Sequence, residues 1–177
     1  MKMLKKLRAV VLTGAMALTL LTACGGNAVN DKNIADALNN IVKLNDSEVT
    51  FTPRAKEREM AQKVAALLES HSEDDSNSAE LSAKIQGILG IDQGGVNENN
   101  FVWVQNALTD KLGAEGQAFQ VMESLTDKGG AYNFSSLGSK EPADTRYMGT
   151  ALCKIPDQKD NLVTVRVIVV TAKAEDE

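Results

Sequence analysis

The sequence predicts an α+β domain in three layers, with helices packed on both faces of one central sheet. Two observations carry this prediction. Four segments repeat apolar residues at helical spacing, and the C-terminal part of the chain holds two β-rich runs around a polar turn. The second run is apolar on both faces, which is typical of a strand covered by helices on each side. We therefore expect an antiparallel C-terminal hairpin inside the central sheet.

Length and composition indicate one globular domain and argue against nucleic-acid binding. The 177 residues fit a single domain, and an apolar fraction of 43% supports a packed core. Four of the 19 basic side chains, and no acid, lie in residues 1–23, so the remainder carries 15 bases against 24 acids. A surface with a net charge of −9 is a poor partner for nucleic acid.

Residues 1–23 have the pattern of a secretory signal peptide. A basic stretch from Lys2 to Arg8 precedes an apolar run from Ala9 to Leu21, and small residues follow before a cysteine. The run is shorter than the ~20 apolar residues that a membrane-spanning helix needs. We expect this segment to be cleaved rather than to anchor the protein.

The sequence Leu21-Thr22-Ala23-Cys24 resembles a bacterial lipobox, in which the cysteine is lipidated through a thioether and the chain is cut just before it. The resemblance implies that Cys24 is the mature N-terminus and that residues 24–30 are a small, polar tether. It also implies an exported protein, lipid-anchored to the outer face of the cell membrane or facing the periplasm. The alternative is an ordinary signal peptide with a chance cysteine.

Lipidation of Cys24 would leave Cys153 as the only free thiol, so no intramolecular disulfide is expected. Cys153 lies in a run from Gly149 to Ile155 that predicts a strand. A buried, small apolar side chain is the common role of a cysteine in that position.

Two amphipathic helices open the domain. The first is predicted from Asp31 to near Lys43, and a short extended link at 48–51 follows it. Thr52 is the predicted N-cap of the second helix, with Pro53 at its first position. The apolar face of the second helix is predicted to hold Met60, Val64, Leu67 and Leu68, and its charged residues are predicted to face water: Arg54, Lys56, Glu57, Arg58, Glu59 and Lys63.

A polar loop at 69–78 separates the second helix from a third, predicted over about 79–89 and ended by Gly90. The acidic loop is not an EF-hand, because Glu80 and Gln86 stand where that motif needs glycine and a carboxylate. A short strand is predicted at 101–104, a fourth helix between residues 114 and 127, and a loop or partly extended segment at 131–145.

The hairpin is predicted from strands at 147–155 and 162–172, joined by a turn at 156–161. Alternation along the second strand places one set of side chains under one helical layer and a second set under the other. The first set is Val163, Val165, Val167 and Val169, and the second includes Ile168 and Val170.

The order of these parts across residues 31–172 resembles the CAP superfamily, the cysteine-rich secretory, antigen-five and pathogenesis-related proteins, in its bacterial branch. The resemblance rests on the Val-Thr-Phe link, a capped second helix that ends in Ser70-His71-Ser72, Asn97-Glu98-Asn99 before a strand, the helix with Ala118-Phe-Gln-Val-Met-Glu-Ser124, and the terminal hairpin. It implies that residues 31–177 form a single CAP-like domain.

The resemblance also implies a cleft near His71 and Glu98, with departures from the family pattern. Asn97 replaces the glycine of the family's Gly-Glu-Asn segment, and the second histidine is missing, because Met122 and residues 125–128 stand where bacterial members have a Trp and a Ser-Pro-Gly-His run. One imidazole and one carboxylate are too few for zinc, so no catalytic residue, metal or cofactor is expected. The alternatives are a solvated histidine and a glutamate that only caps or solvates its loop.

Three functions stay open on this sequence. The leading hypothesis is a non-enzymatic binding module at the cell surface, whose partner is an envelope component, a small apolar ligand or another protein. The second is a degenerate hydrolase or metal-dependent enzyme that uses His71 with Glu98. The third is a structural envelope lipoprotein built on another α+β fold.

Overall fold

Four helices and four strands make up the part of the chain described by the structure, a computed structural model. That part comprises residues 29–45, 47–70, 78–91, 100–109, 112–126, 140–156 and 161–176. In chain order the elements are α1 (Asp31–Lys43), β1 (Thr50–Pro53), α2 (Ala55–Ser70), α3 (Ser78–Leu89), β2 (Asn100–Leu108), α4 (Ala114–Thr126), β3 (Glu141–Pro156) and β4 (Leu162–Glu175).

The four strands form one mixed sheet in the order β1-β3-β4-β2. β1 runs parallel to β3, whereas β4 pairs antiparallel with β3 on one side and with β2 on the other. The predicted hairpin, β3 and β4, therefore forms the centre of the sheet. The α+β fold class is confirmed.

A helical layer covers each face of the sheet, as predicted. On one face, α1 and α4 pack against a cluster that includes Ile168 and Val170 of β4. On the other face, α2 and α3 pack against a cluster that includes Val165, Val167 and Val169. The two alternating sets of β4 are thus buried under different helical layers, and Val163 is partly buried with the second cluster. Among the residues described, no helix has the length and hydropathy to cross a membrane.

The beginning of α2 differs from the prediction. Pro53 ends β1 instead of opening the helix, and α2 begins at Ala55. Thr52 pairs with Tyr147 and Pro53 with Met148, and the Arg54 amide donates to the Met148 carbonyl at 2.8 Å. Pairing with β3 outweighs the capping signal, and proline fits here because β1 is an edge strand.

Two strands, β2 and β3, are longer than predicted because each pairs with β4 beyond the predicted bounds. β2 pairs with β4 along all nine residues, from Asn100 opposite Lys173 to Leu108 opposite Val165. β3 begins at Glu141, inside the segment predicted as a loop or partly extended, and its register shifts between Pro142 and Arg146. Cross-strand pairing overrides the weak local propensity of both segments.

The prediction that Glu57 faces water is wrong, since its side chain is fully buried. The reason is a close approach of α2 to β3 at Gly149. A Cβ built on Gly149 would lie 2.0 Å from the Arg58 backbone nitrogen and 2.4 Å from its Cα. The first turn of α2 therefore lies directly on the sheet, and Glu57 is pressed between the helix and the strands.

Candidate functional site

The three site residues predicted from the sequence, Cys24, His71 and Glu98, lie outside the described residues. Lipidation and the His71–Glu98 cleft therefore stay predictions. Cys153 is described and is a free cysteine, 1% exposed, in the core beneath α2 and α3. Burial raises the pKa of its thiol, so Cys153 is a core residue, as predicted, rather than a nucleophile.

A buried polar cluster, here the Asp31 cluster, ties the start of α1 to the sheet. Asn30 caps α1 by accepting from the Asn33 amide at 3.0 Å, and this places Asp31 in the first turn. One carboxylate oxygen of Asp31 accepts from the Thr150 hydroxyl at 2.6 Å, and the other accepts from Arg58 Nε at 2.6 Å. Asp31 thus joins α1 to β3 and α2.

Arg166 completes the Asp31 cluster from the middle of β4, where it is 7% exposed. Its Nη1 donates to the Thr150 hydroxyl at 3.1 Å, and its Nε donates to Gln117 Oε1 at 2.9 Å. Its Nη2 donates to the Val29 carbonyl at 2.9 Å. Burial lowers the pKa of Arg166, while the charge of Asp31 opposes that shift. The guanidinium therefore fixes the first described residues of the domain to its central strand.

The Asp31 cluster is a structural connection between α1, α2, α4 and the sheet. Both oxygens of Asp31 accept a hydrogen bond, and the amide of Gln117, which accepts from Arg166, also donates to the Leu112 carbonyl at 2.8 Å.

An open cleft of about 360 Å³ lies in front of the Asp31 cluster, lined by Asn30, Asp31, Lys32, Pro53 and Arg58. The Arg58 side chain is half-exposed, and the Lys32 side chain is exposed and pairs with Asp36 at 2.6 Å. Arg58 in turn pairs with Asp31, so each of the two cations at the rim shares its charge with a carboxylate and keeps further N–H donors for an acceptor group of a partner.

A second buried cluster, the Glu57 cluster, lies on the opposite face of the sheet beneath α2. Arg54 holds the Glu57 carboxylate with two nitrogens, Nη2 to Oε1 and Nε to Oε2, the latter at 2.6 Å. The Thr171 hydroxyl donates to Oε1 at 2.8 Å, and the Arg54 guanidinium stacks 3.8 Å from the Tyr147 ring centroid. Burial alone would raise the pKa of Glu57, but the bonds from Arg54 and Thr171 outweigh it and hold the pKa below its usual value.

The Glu57 cluster predicts a pH-dependent contribution to stability. Since the pKa of Glu57 is lowered in the folded state, its contribution is present above the unfolded value of about 4.5 and is lost as pH falls through the folded value. We expect Glu57→Gln to lower the free energy of unfolding by about 2 kcal/mol at pH 7. The difference from the parent should shrink below pH 4, measured by urea denaturation across pH.

Glu59→Gln is the matched control for Glu57→Gln, because Glu59 lies exposed on the same helix. It should change stability by no more than about 0.5 kcal/mol. Equal effects of the two substitutions, or a Glu57→Gln effect that does not vary with pH, would contradict the role of the ion pair.

Two buried side-chain nitrogens of the described chain, Trp103 Nε1 and Arg146 Nε, have no hydrogen-bond partner. They are neighbours, because the Arg146 guanidinium lies 5.2 Å from the Trp103 ring centroid. Burial lowers the pKa of Arg146 to about 10, partly offset by the charges of Asp144 and Glu141. Arg146 is therefore charged at neutral pH, and the aromatic face offsets part of its desolvation.

Sequence reasoning missed the Asp31 cluster as a unit. The available signal was Arg166, a cation between Val165 and Val167 in a strand that is otherwise apolar on both faces. Such a residue requires buried partners, although the sequence does not show which residues supply them. No group of three or more His, Cys, Asp and Glu side chains in the described ranges has the arrangement to hold a metal ion.

No protein-family model matches this chain, and no curated protein matches it either.

Proposed function

We propose that this chain is an exported lipoprotein, held to the membrane by lipidated Cys24, whose folded domain is a non-enzymatic binding module of CAP-like layout. The order α-β-α-α-β-α-β-β in three layers supports the layout. The lipobox-like sequence ending at Cys24 supports the anchor.

The observation that carries the proposal is the bond from Arg166 to the Val29 carbonyl. Five residue steps separate Cys24 from Val29, and a fully extended chain covers at most about 18 Å in that distance. The rigid domain would therefore begin within about 18 Å of the lipidated residue, and a central strand would hold its first turn. This is the arrangement expected of a module that works at the membrane surface.

The cleft beside the Asp31 cluster favours one class of partner. Its lining is part polar and part apolar, and it includes the cations Lys32 and Arg58, each paired with a carboxylate. Small apolar ligands usually bind in concave, mainly apolar pockets. An envelope component that carries acidic or hydrogen-bond acceptor groups fits this lining better, and the short tether would keep the cleft close to the envelope.

The anchor is tested by metabolic labelling with a fatty acid. We expect Cys24→Ala to abolish both labelling and membrane association, because stable anchoring takes more than one acyl chain and a diacylglyceryl thioether supplies two. Cys153→Ala removes the only other cysteine and should leave the label in place. A Cys24→Ala protein that is as strongly labelled and membrane-bound as the parent would refute the anchor.

The binding role is tested by cosedimentation of the full-length protein, solubilised in detergent, with detergent-washed cell envelopes. Lys32→Glu should raise the dissociation constant about fivefold, which corresponds to roughly 1 kcal/mol. Lys43→Glu is the control, since Lys43 is exposed at the far end of α1. Equal dissociation constants for the two variants would show that the cleft does not bind the envelope component.

A further inference from the structure

The β3–β4 hairpin carries exposed apolar side chains on one face. Leu152 and Leu162 are 54% and 71% exposed, and Lys154 and Pro156 are exposed as well. The register places Leu162 opposite Pro156, so strand alternation directs all four side chains to the same face. We call these four residues the hairpin patch.

The hairpin patch adjoins the point where the tether enters the domain. Leu152 is paired with Arg166, and Arg166 holds the Val29 carbonyl on that same face. Leu162 lies four residues from Arg166 along β4, a distance of about 13 Å. Both leucines therefore lie on the same face of the sheet as the bond to Val29, the first residue that the structure describes after the tether.

We propose that the hairpin patch rests on the lipid bilayer that holds the acyl chains of Cys24, an inference that depends on the proposed anchor. Leucine and proline side chains gain by leaving water for the interface between headgroups and acyl chains. The long side chain of Lys154 can follow that surface while its ammonium group meets lipid phosphates. The patch thus has both the apolar and the cationic groups that an anionic lipid surface favours.

The tether length and the size of the patch favour a bilayer over a second copy of the chain. A tether of at most about 18 Å makes contact with the bilayer an intramolecular event with a high effective concentration. A stable protein–protein interface takes about 20–30 residues from each partner. Three apolar side chains and one lysine fall far short of that number.

Depth-dependent fluorescence quenching tests the inference. Leu162→Cys is prepared in the full-length lipidated protein, labelled with an environment-sensitive fluorophore and reconstituted into phosphatidylethanolamine–phosphatidylglycerol vesicles that contain brominated acyl chains. The matched control is Leu44→Cys, because Leu44 is also 71% exposed but follows the opposite end of α1. The parent protein gives the labelling background of the buried Cys153.

We expect brominated lipid to quench the label at position 162 at least twofold more than the label at position 44. Adding Leu152→Ser to the Leu162→Cys protein should reduce that quenching. Equal quenching at the two positions in protein that floats with the vesicles would overturn the inference and leave the anchor intact. Protein that does not float with the vesicles would overturn the anchor and the inference with it.

Discussion

Gly149→Ala is expected to destabilise the domain by about 3 kcal/mol or more. The added Cβ would lie 2.0 Å from the backbone nitrogen of Arg58 and 2.4 Å from the carbonyl carbon of Glu57. Because these are backbone atoms of α2, no side-chain rotation relieves the clash. The helix would have to move away from β3, which would also separate Glu57 from Thr171.

Gly87→Ala is the control, and it should act in the opposite direction. Gly87 lies in α3, and a Cβ at that position meets nothing within 4 Å. Alanine in a helix is favoured over glycine by up to about 1 kcal/mol, so this variant should be slightly more stable than the parent. Urea denaturation at neutral pH measures both free energies. Equal stability of the two variants would show that α2 does not pack on β3 as described.

Val167→Asp should cost at least about 4 kcal/mol, the largest effect that we expect from a single substitution here. Val167 is fully buried in β4 among the side chains that α2 and α3 cover. A carboxylate there would lose its hydration, because the neighbours that line this core are apolar. We expect loss of cooperative thermal unfolding, measured by circular dichroism.

Leu162→Asp, on the same strand, is the control. It places the same residue in β4 at an exposed position, so it shows how much of the loss of stability comes from the low β propensity of aspartate rather than from burial of its charge. Leu162 is 71% exposed, so an aspartate at that position keeps its hydration and should change stability by no more than about 0.5 kcal/mol in the absence of membranes. If Val167→Asp melted at the same temperature as Leu162→Asp, β4 would not be covered by helices on both faces.

The fold was predictable where the pattern is local. The apolar spacing from Ile34 to Val42 predicts the helix that is observed as α1. The alternation along β4 predicts which of its side chains lie under each helical layer. The role of Pro53 and the start of β3 at Glu141 were not predictable, because both depend on strand pairing between distant segments. Local capping and turn signals carry no information on such pairing.

The candidate site was less predictable than the fold, because its bonds join residues far apart in the chain. Arg166 stands out in the sequence, but its partners on α4 and before α1 are 49 and 137 residues away. Glu57 looked like a solvated helix residue because the close approach at Gly149 leaves no local mark in the sequence of α2. His71 and Glu98 stay predictions that rest on the family resemblance.

The bond between Arg166 and Val29 has a consequence for the order in which the chain is made and folded. It joins residues separated by 137 positions, and β4 also pairs with both β3 and β2. Until β4 has been synthesised, β2 and β3 lack their common pairing partner, and the helices lack a complete sheet against which to pack. If the chain is exported unfolded and lipidated at Cys24, as proposed above, lipidation would precede folding. The domain would then close onto a chain whose Cys24 is already held at the membrane.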